Sequence, residues 1–176
     1  MRVQPPGPWT RHATDVVRIL GYYGNRADPP TDYFAQNSAW AEIQRWLPLV
    51  HSRRDLLVHA CSAEVGPRSG AFTDLRGRDV TGQGRLPMHT TTGFHVSTIA
   101  AVLGSPDTAG ILRDAIVRIE TEHLGSFSFV CSGGTHRSVA CGVALILIAY
   151  PAASIQVYTN RTKAAAAQSG WTPTSP

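Results

Sequence analysis

Apolar positions along this chain switch between two periods, and the switching predicts alternating strands and helices. From residue 55 onward, short apolar runs bounded by turn residues predict strands over Asp55–Cys61, Ala71–Leu75, Ser126–Cys131 and Ser154–Tyr158. Between them, apolar residues three and four apart predict helices over Phe94–Leu103, Asp107–Leu124 and His136–Tyr150. The second of these carries Ile111, Leu112, Ala115, Ile116 and Ile119 on one face. Upstream, Val16–Tyr22 reads as a strand, and Ser38–Leu49 places Ala39, Trp40, Ile43, Trp46 and Leu47 on a helical stripe behind a Ser N-cap. Gly77–Thr91, punctuated by Gly82-Gln83-Gly84, reads as a long loop. Strands separated by helices predict an α/β fold, a mostly parallel small sheet flanked by helices, whose ligands gather at the carboxyl ends of the strands.

At 176 residues with 43% apolar composition, the chain has material for one core. Three segments are expected: an N-terminal extension with a helix over 1–54, the α/β domain over 55–164, and a disordered tail over 165–176. Pro-Pro-Gly-Pro near the start, and Ser, Gly, Thr and Pro after an alanine run near the end, predict flexible termini. The longest apolar run, Val139–Tyr150, is too short to cross a bilayer, and Met1–Pro8 lacks the apolar core of a secretory signal. The expectation is a soluble, cytoplasmic protein without membrane partners; the Arg-bearing, acid-free opening through Thr14 is also compatible with an organelle address.

Cysteines at 61, 131 and 141 are odd in number and unpaired in spacing, which argues against a disulfide scaffold. No Cys/His group has zinc spacing, so no metal and no cofactor is expected. The net charge is only +4, yet every cation except Lys163 is arginine. Codon bias accounts for that, as does an electropositive face for phosphate or RNA, since arginine makes bidentate and stacking contacts.

One run carries candidate chemistry. Cys131-Ser132-Gly133-Gly134-Thr135-His136-Arg137-Ser138 lies between the apolar stretches Phe127–Val130 and Val139–Tyr150. A strand entering a glycine pair and leaving into a helix turns backbone N–H groups and a helix N-terminus toward an anion. Glycines let the backbone pass close to a ligand, and Arg137 in the first helical turn offers a fork of donors to phosphate oxygens. Ser132, Thr135 and Ser138 add hydroxyls, and His136 a further polar contact.

Two known patterns share these letters. Cys-x-x-Gly-x-x-Arg-Ser resembles the signature loop of cysteine-dependent phosphatases, which implies Cys131 as nucleophile, Gly134 as turn residue, Arg137 as phosphate clamp and Ser138 as the hydroxyl assisting the thiolate. Cys-[Ser/Thr]-Gly-Gly-x-His-Arg-Ser-Val resembles the C-terminal domain of the RapZ family of bacterial RNase adapters, and it alone accounts for His136 and Val139. The second resemblance extends, in order, through Leu56–Ser62, Phe72-Thr73-Asp74-Leu75-Arg76, Thr92-Gly93 and Thr159-Asn160-Arg161, covering residues 55 to 164. Ala60–Gly66 and Gly77–Val80 depart from that family's pattern, as does Asn160. Its nucleotide-hydrolysing domain has no counterpart, because no Gly-x4-Gly-Lys-[Ser/Thr] occurs.

The RapZ resemblance implies a sugar-phosphate, nucleotide or RNA-phosphate pocket formed by Ser132 to Ser138, with Asp74, Arg76, Thr92 and Arg161 as possible walls. It favours a binding protein over an enzyme. Tight RNA binding by so modestly charged a domain would call for a homo-oligomer. The phosphatase alternative requires an acid for the leaving group, for which Asp74, Asp79 and Asp107 are the candidates; in the binding reading Cys131 is a buried small hydrophobe.

Overall fold

A computed structural model describes residues 38–46, 50, 55–80, 93–94, 96–103, 105–150, 152–159 and 169–170. The strand expected over Val16–Tyr22 and most of the loop expected over Gly77–Thr91 lie outside these residues. In chain order the elements are α1 (Ser38–Trp46), β1 (Leu57–Ser62), β2 (Phe72–Asp74), α2 (Val96–Leu103), α3 (Thr108–Thr121), β3 (Ser126–Cys131), α4 (Arg137–Ile148), β4 (Ser154–Tyr158) and β5 (Ser169–Gly170). The α/β class expected from the alternation of periods is the class observed.

The sheet runs in the order β2-β3-β1-β4-β5. Its first four strands are mutually parallel, and β5 joins β4 antiparallel. The pairing of Leu57 with Ser126 and with Ser154 fixes which side chains share a face. Val58 and Ala60 of β1, Phe127, Phe129 and Cys131 of β3, and Ile155 and Val157 of β4 join residues of all four helices in one core. Cys61, Val130 and Tyr158 form a smaller cluster on the opposite face, with Ala63 and Val65 packed against it. Both faces of β1 and β3 are buried, the one opposite the helices by polar side chains such as His59 and Ser128 as well as apolar ones. Full burial of Phe127 and Phe129 contributes about 1.5–3 kcal/mol each.

α4 is apolar almost all round because it lies directly on the sheet. At Gly142 the approach is so close that a Cβ would sit 2.7 Å from Ile155 Cδ1 and 3.2 Å from Val58 Cγ1. Tyr150, just after the helix, donates from its hydroxyl to Glu120 Oε1 at 2.8 Å and ties the far end of α4 to α3.

Element ends differ from the sequence expectation for local reasons. α3 ends at Thr121 rather than Leu124, because His123 adopts φ +53 and the Leu124 N–H returns to the Ile119 carbonyl at 3.0 Å, the closure of a Schellman motif. α4 starts at Arg137 rather than His136, whose φ of −116° and ψ of −81° are not helical.

Because β1 to β4 are parallel, their carboxyl ends lie at one edge of the sheet. The chain leaving β1 passes over the face opposite the helices, where the N–H groups of Arg68 and Ser69 donate to Ser128 Oγ at 3.1 and 3.0 Å. The chain leaving β3 turns to the helical face and enters α4. Neighbouring parallel strands whose continuations part to opposite faces leave a crevice between them, the usual seat of ligands in open α/β sheets.

Candidate functional site

The eight-residue run from Cys131 to Ser138 occupies the carboxyl end of the crevice between β1 and β3 and leads into α4. It is wedged there by backbone contacts. Ser62 and Gly133 form an isolated antiparallel bridge, and the Ala63 N–H donates to the Cys131 carbonyl at 2.8 Å. Gly134 has φ +71, and a Cβ on it would lie 2.4 Å from the Tyr158 carbonyl oxygen and 2.6 Å from the Ser62 nitrogen. Only glycine combines that left-handed backbone with so close an approach to β1 and β4. On the other side, the Gly93 N–H donates to the Thr135 carbonyl at 2.7 Å, and a Cβ at Gly93 would collide with the His136 carbonyl and the Val139 side chain.

His136 stands at the N-cap of the helix that follows, and its side chain makes no capping bond. By helix geometry the N–H groups of Arg137, Ser138 and Val139 have no partner within α4, whose first backbone bond runs from the Ala140 N–H to the His136 carbonyl at 2.8 Å. The His136 ring instead meets its neighbour, with Nδ1 3.1 Å from Thr135 Oγ1. An uncapped N-terminus carries partial positive charge that favours an anion by about 0.3–1 kcal/mol at an exposed site.

Arg137 folds back over this opening. Its Nη2 donates to Ser132 Oγ at 3.2 Å and its Nη1 reaches the Leu75 carbonyl at 3.5 Å. The side chain stays partly exposed, as do those of Thr135 and His136, while Ser132 is open to solvent and Gly134 is buried.

Cys131 points the other way. It is 3% exposed, belongs to the main core and has Sγ 3.2 Å from Ser138 Oγ, itself fully buried. The other thiols are also buried: desolvation pushes the Cys61 pKa up to about 11 and holds Cys141 higher still above its ordinary range. Among the described residues no three His, Cys, Asp or Glu side chains cluster to hold a metal ion.

The predicted wall residues divide. Asp74 and Arg76 lie at the same end of the sheet, since β2 pairs Asp74 with Val130 and the Leu75 N–H donates to the Val130 carbonyl at 2.7 Å. Thr92 and Arg161 lie outside the described residues. Of the carboxylates considered as acids, Asp74 is gripped by Arg76, and that hydrogen bonding holds its carboxyl below the usual range. Asp107 Oδ2 accepts the Asp79 N–H at 2.8 Å, while the Asp107 N–H returns to the Asp79 carbonyl at 3.2 Å, so these two brace the loop after β2 against the start of α3.

Contacts that the sequence did not single out are backbone ones: the Leu75 carbonyl under Arg137, and the Ser62 amide and Tyr158 carbonyl against Gly134. Their only signal was the parallel pairing that brings the strand ends together. A cleft of about 260 Å³ exists elsewhere, lined among others by Thr73, Arg78, Asp107, Arg113 and Asp114. Its charges are mixed, and Arg113 is already paired with Asp114 and Glu42, so the convergent donors belong to the loop rather than to this cleft. No protein-family model, no curated protein and no solved structure matches this chain.

Proposed function

We propose that the chain binds a phosphorylated ligand, a sugar phosphate, a nucleotide or an RNA backbone, in the loop from Ser132 to Ser138, in the manner implied by its resemblance to the RapZ C-terminal domain. The observation that carries the reading is the uncapped start of α4 with Arg137 bent over it. Three first-turn amides, a hydroxyl-bearing loop and a guanidinium converge at a sheet crevice, and an oxyanion would satisfy them together. The hydrogen bonds from Arg137 to Ser132 and to the Leu75 carbonyl order the guanidinium at the lip and leave its Nε and one N–H on each terminal nitrogen without a partner among the described residues.

A second reading, cysteine-dependent phosphate hydrolysis, is favoured by the approach of Ser138 Oγ to Cys131 Sγ, since a hydroxyl donor stabilises a thiolate. Two features weigh against it. The thiol is turned into the core, and the Asp74 and Asp107 carboxylates are engaged by Arg76 and by the Asp79 amide.

Calorimetric titration with inorganic phosphate, an amino-sugar phosphate and a short single-stranded RNA, at low and moderate salt, tests the binding reading. Arg137→Ala should weaken binding by about 10- to 100-fold, the worth of a charge-assisted contact. Native protein that binds none of the three ligands overturns it. Turnover of p-nitrophenyl phosphate that disappears in Cys131→Ser would instead establish the hydrolase.

A further inference from the structure

The segment Asp74-Leu75-Arg76 closes β2 beside the end of β3, and the backbone of its middle residue is held on both sides. The Leu75 N–H donates to the Val130 carbonyl at 2.7 Å, and the Leu75 carbonyl receives Arg137 Nη1 at 3.5 Å. The Arg137 guanidinium therefore lies against the Leu75–Arg76 peptide. Asp74 in turn holds Arg76 rigidly: Oδ1 accepts the Arg76 backbone N–H at 2.9 Å, and the two carboxylate oxygens each accept Nε at 3.0 Å. A further bond from Nη2 to Oδ2 completes the fork.

That fork occupies the Nε edge of Arg76 and leaves Nη1 with no partner among the described residues, on a side chain 55% exposed. The Asp74–Arg76 pair thus sits at the strand end that Arg137 touches, with Asp74 within electrostatic reach of Arg137, so the two guanidinium groups and one carboxylate sum to one net positive charge at this end of the sheet. A single phosphate in the loop is already served by Arg137 and the first-turn amides. A second guanidinium, fixed in orientation at the neighbouring strand end, fits a second anionic group.

We infer that Arg76 is a second anion clamp held in place by Asp74, and that the ligand of this site carries two phosphoryl groups, one seated at the start of α4 and the next met by Arg76. The inference rests on the phosphate-binding reading of the loop and narrows it to diphosphate chemistry, whether a free diphosphate or successive phosphates of an RNA strand. Asp74 is a positioning residue in this arrangement and does not touch the ligand.

Competition titrations at fixed ionic strength with phosphate, pyrophosphate and a 5′-phosphorylated RNA dinucleotide provide the test. The native protein should prefer pyrophosphate or the dinucleotide over phosphate by about tenfold or more, the worth of one added charge-assisted contact; which of the two binds tighter identifies the source. Arg76→Ala should abolish that preference, lowering affinity for the diphosphate ligand by about tenfold more than affinity for phosphate. Arg76→Lys should restore part of it, and Asp74→Ala should weaken the diphosphate ligand by freeing Arg76. A preference that survives Arg76→Ala, or a diphosphate bound more tightly by Asp74→Ala, overturns the inference while leaving the loop reading intact. Phosphate binding that is absent, or indifferent to Arg137→Ala, overturns both.

Discussion

Gly134→Ala is the sharpest test of how the loop is held, because two costs meet at that position and other glycines separate them. Gly134 has φ +71, and an added Cβ would lie 2.4 Å from the Tyr158 carbonyl, 2.6 Å from the Ser62 nitrogen and 3.1 Å from the Cys61 carbonyl carbon. The left-handed backbone costs an alanine about 1–2 kcal/mol. Forcing a methyl group into packed surroundings adds about 1–3 kcal/mol, for a total of about 2–5 kcal/mol. At about 2–4 °C per kcal/mol for a chain of this size, the thermal midpoint should fall by about 4–20 °C.

Gly66, with φ +80 and nothing within 4 Å, isolates the backbone cost, and Gly66→Ala should lose only the first part. Gly93 isolates the collision, its Cβ meeting the His136 carbonyl and the Val139 Cβ, both at 2.4 Å. Gly110, inside α3 with open space around it, carries neither, so Gly110→Ala should stabilise by about 0.5–1 kcal/mol through helix propensity. Circular dichroism melts of the four variants give the comparison. If Gly134→Ala shifts the midpoint no further than Gly66→Ala, the loop is not wedged between β1 and β4 and the reasoning fails.

Two further outcomes follow from buried groups on the sheet. His59 is 6% exposed, its Nδ1 has no partner among the described residues, and burial with the nearby Arg68 charge holds its pKa below the ordinary 6.5. Its neutral form is thus favoured in the folded state, so this contribution to stability is complete above about pH 6.5 and is lost as pH falls toward the lower folded value. Urea midpoints at pH 7.5 and pH 5 should differ more in the native protein than in His59→Phe, and equal differences would exclude the mechanism. With Cys61 pushed up to about 11 and Cys141 also raised by burial, neither thiol should react with an aromatic disulfide reagent at pH 8 until denaturant is added; rapid labelling of Cys61 in folded protein would contradict its placement.

The elements were readable because their periods are clean. Ser126–Cys131 and Ser154–Tyr158 were expected with the bounds they have, each an apolar run closed by turn residues. The overrun at Leu124 came from a left-handed histidine at a position where sequence favours glycine, so no breaker announced the end of α3. The loop was legible as a strand-turn-helix with glycines. What holds it was not: the carbonyls of Leu75 and Tyr158 and the amide of Ser62 are chemically the same as every other peptide, and only the strand order makes them neighbours.

The strand order also has a consequence for how this chain is made. β1 and β2 leave the ribosome as consecutive strands, yet they do not touch in the finished sheet, since β3 lies between them. Until residues 126–131 have been synthesised, the inner edge of each stands without its hydrogen-bonding partner, and α1, α2 and α3 must wait for the sheet whose core they share. Nascent chains halted before β3 should therefore be sticky, collapsed and protease-sensitive, and they should acquire a cooperative fold only when the third strand slides into its slot.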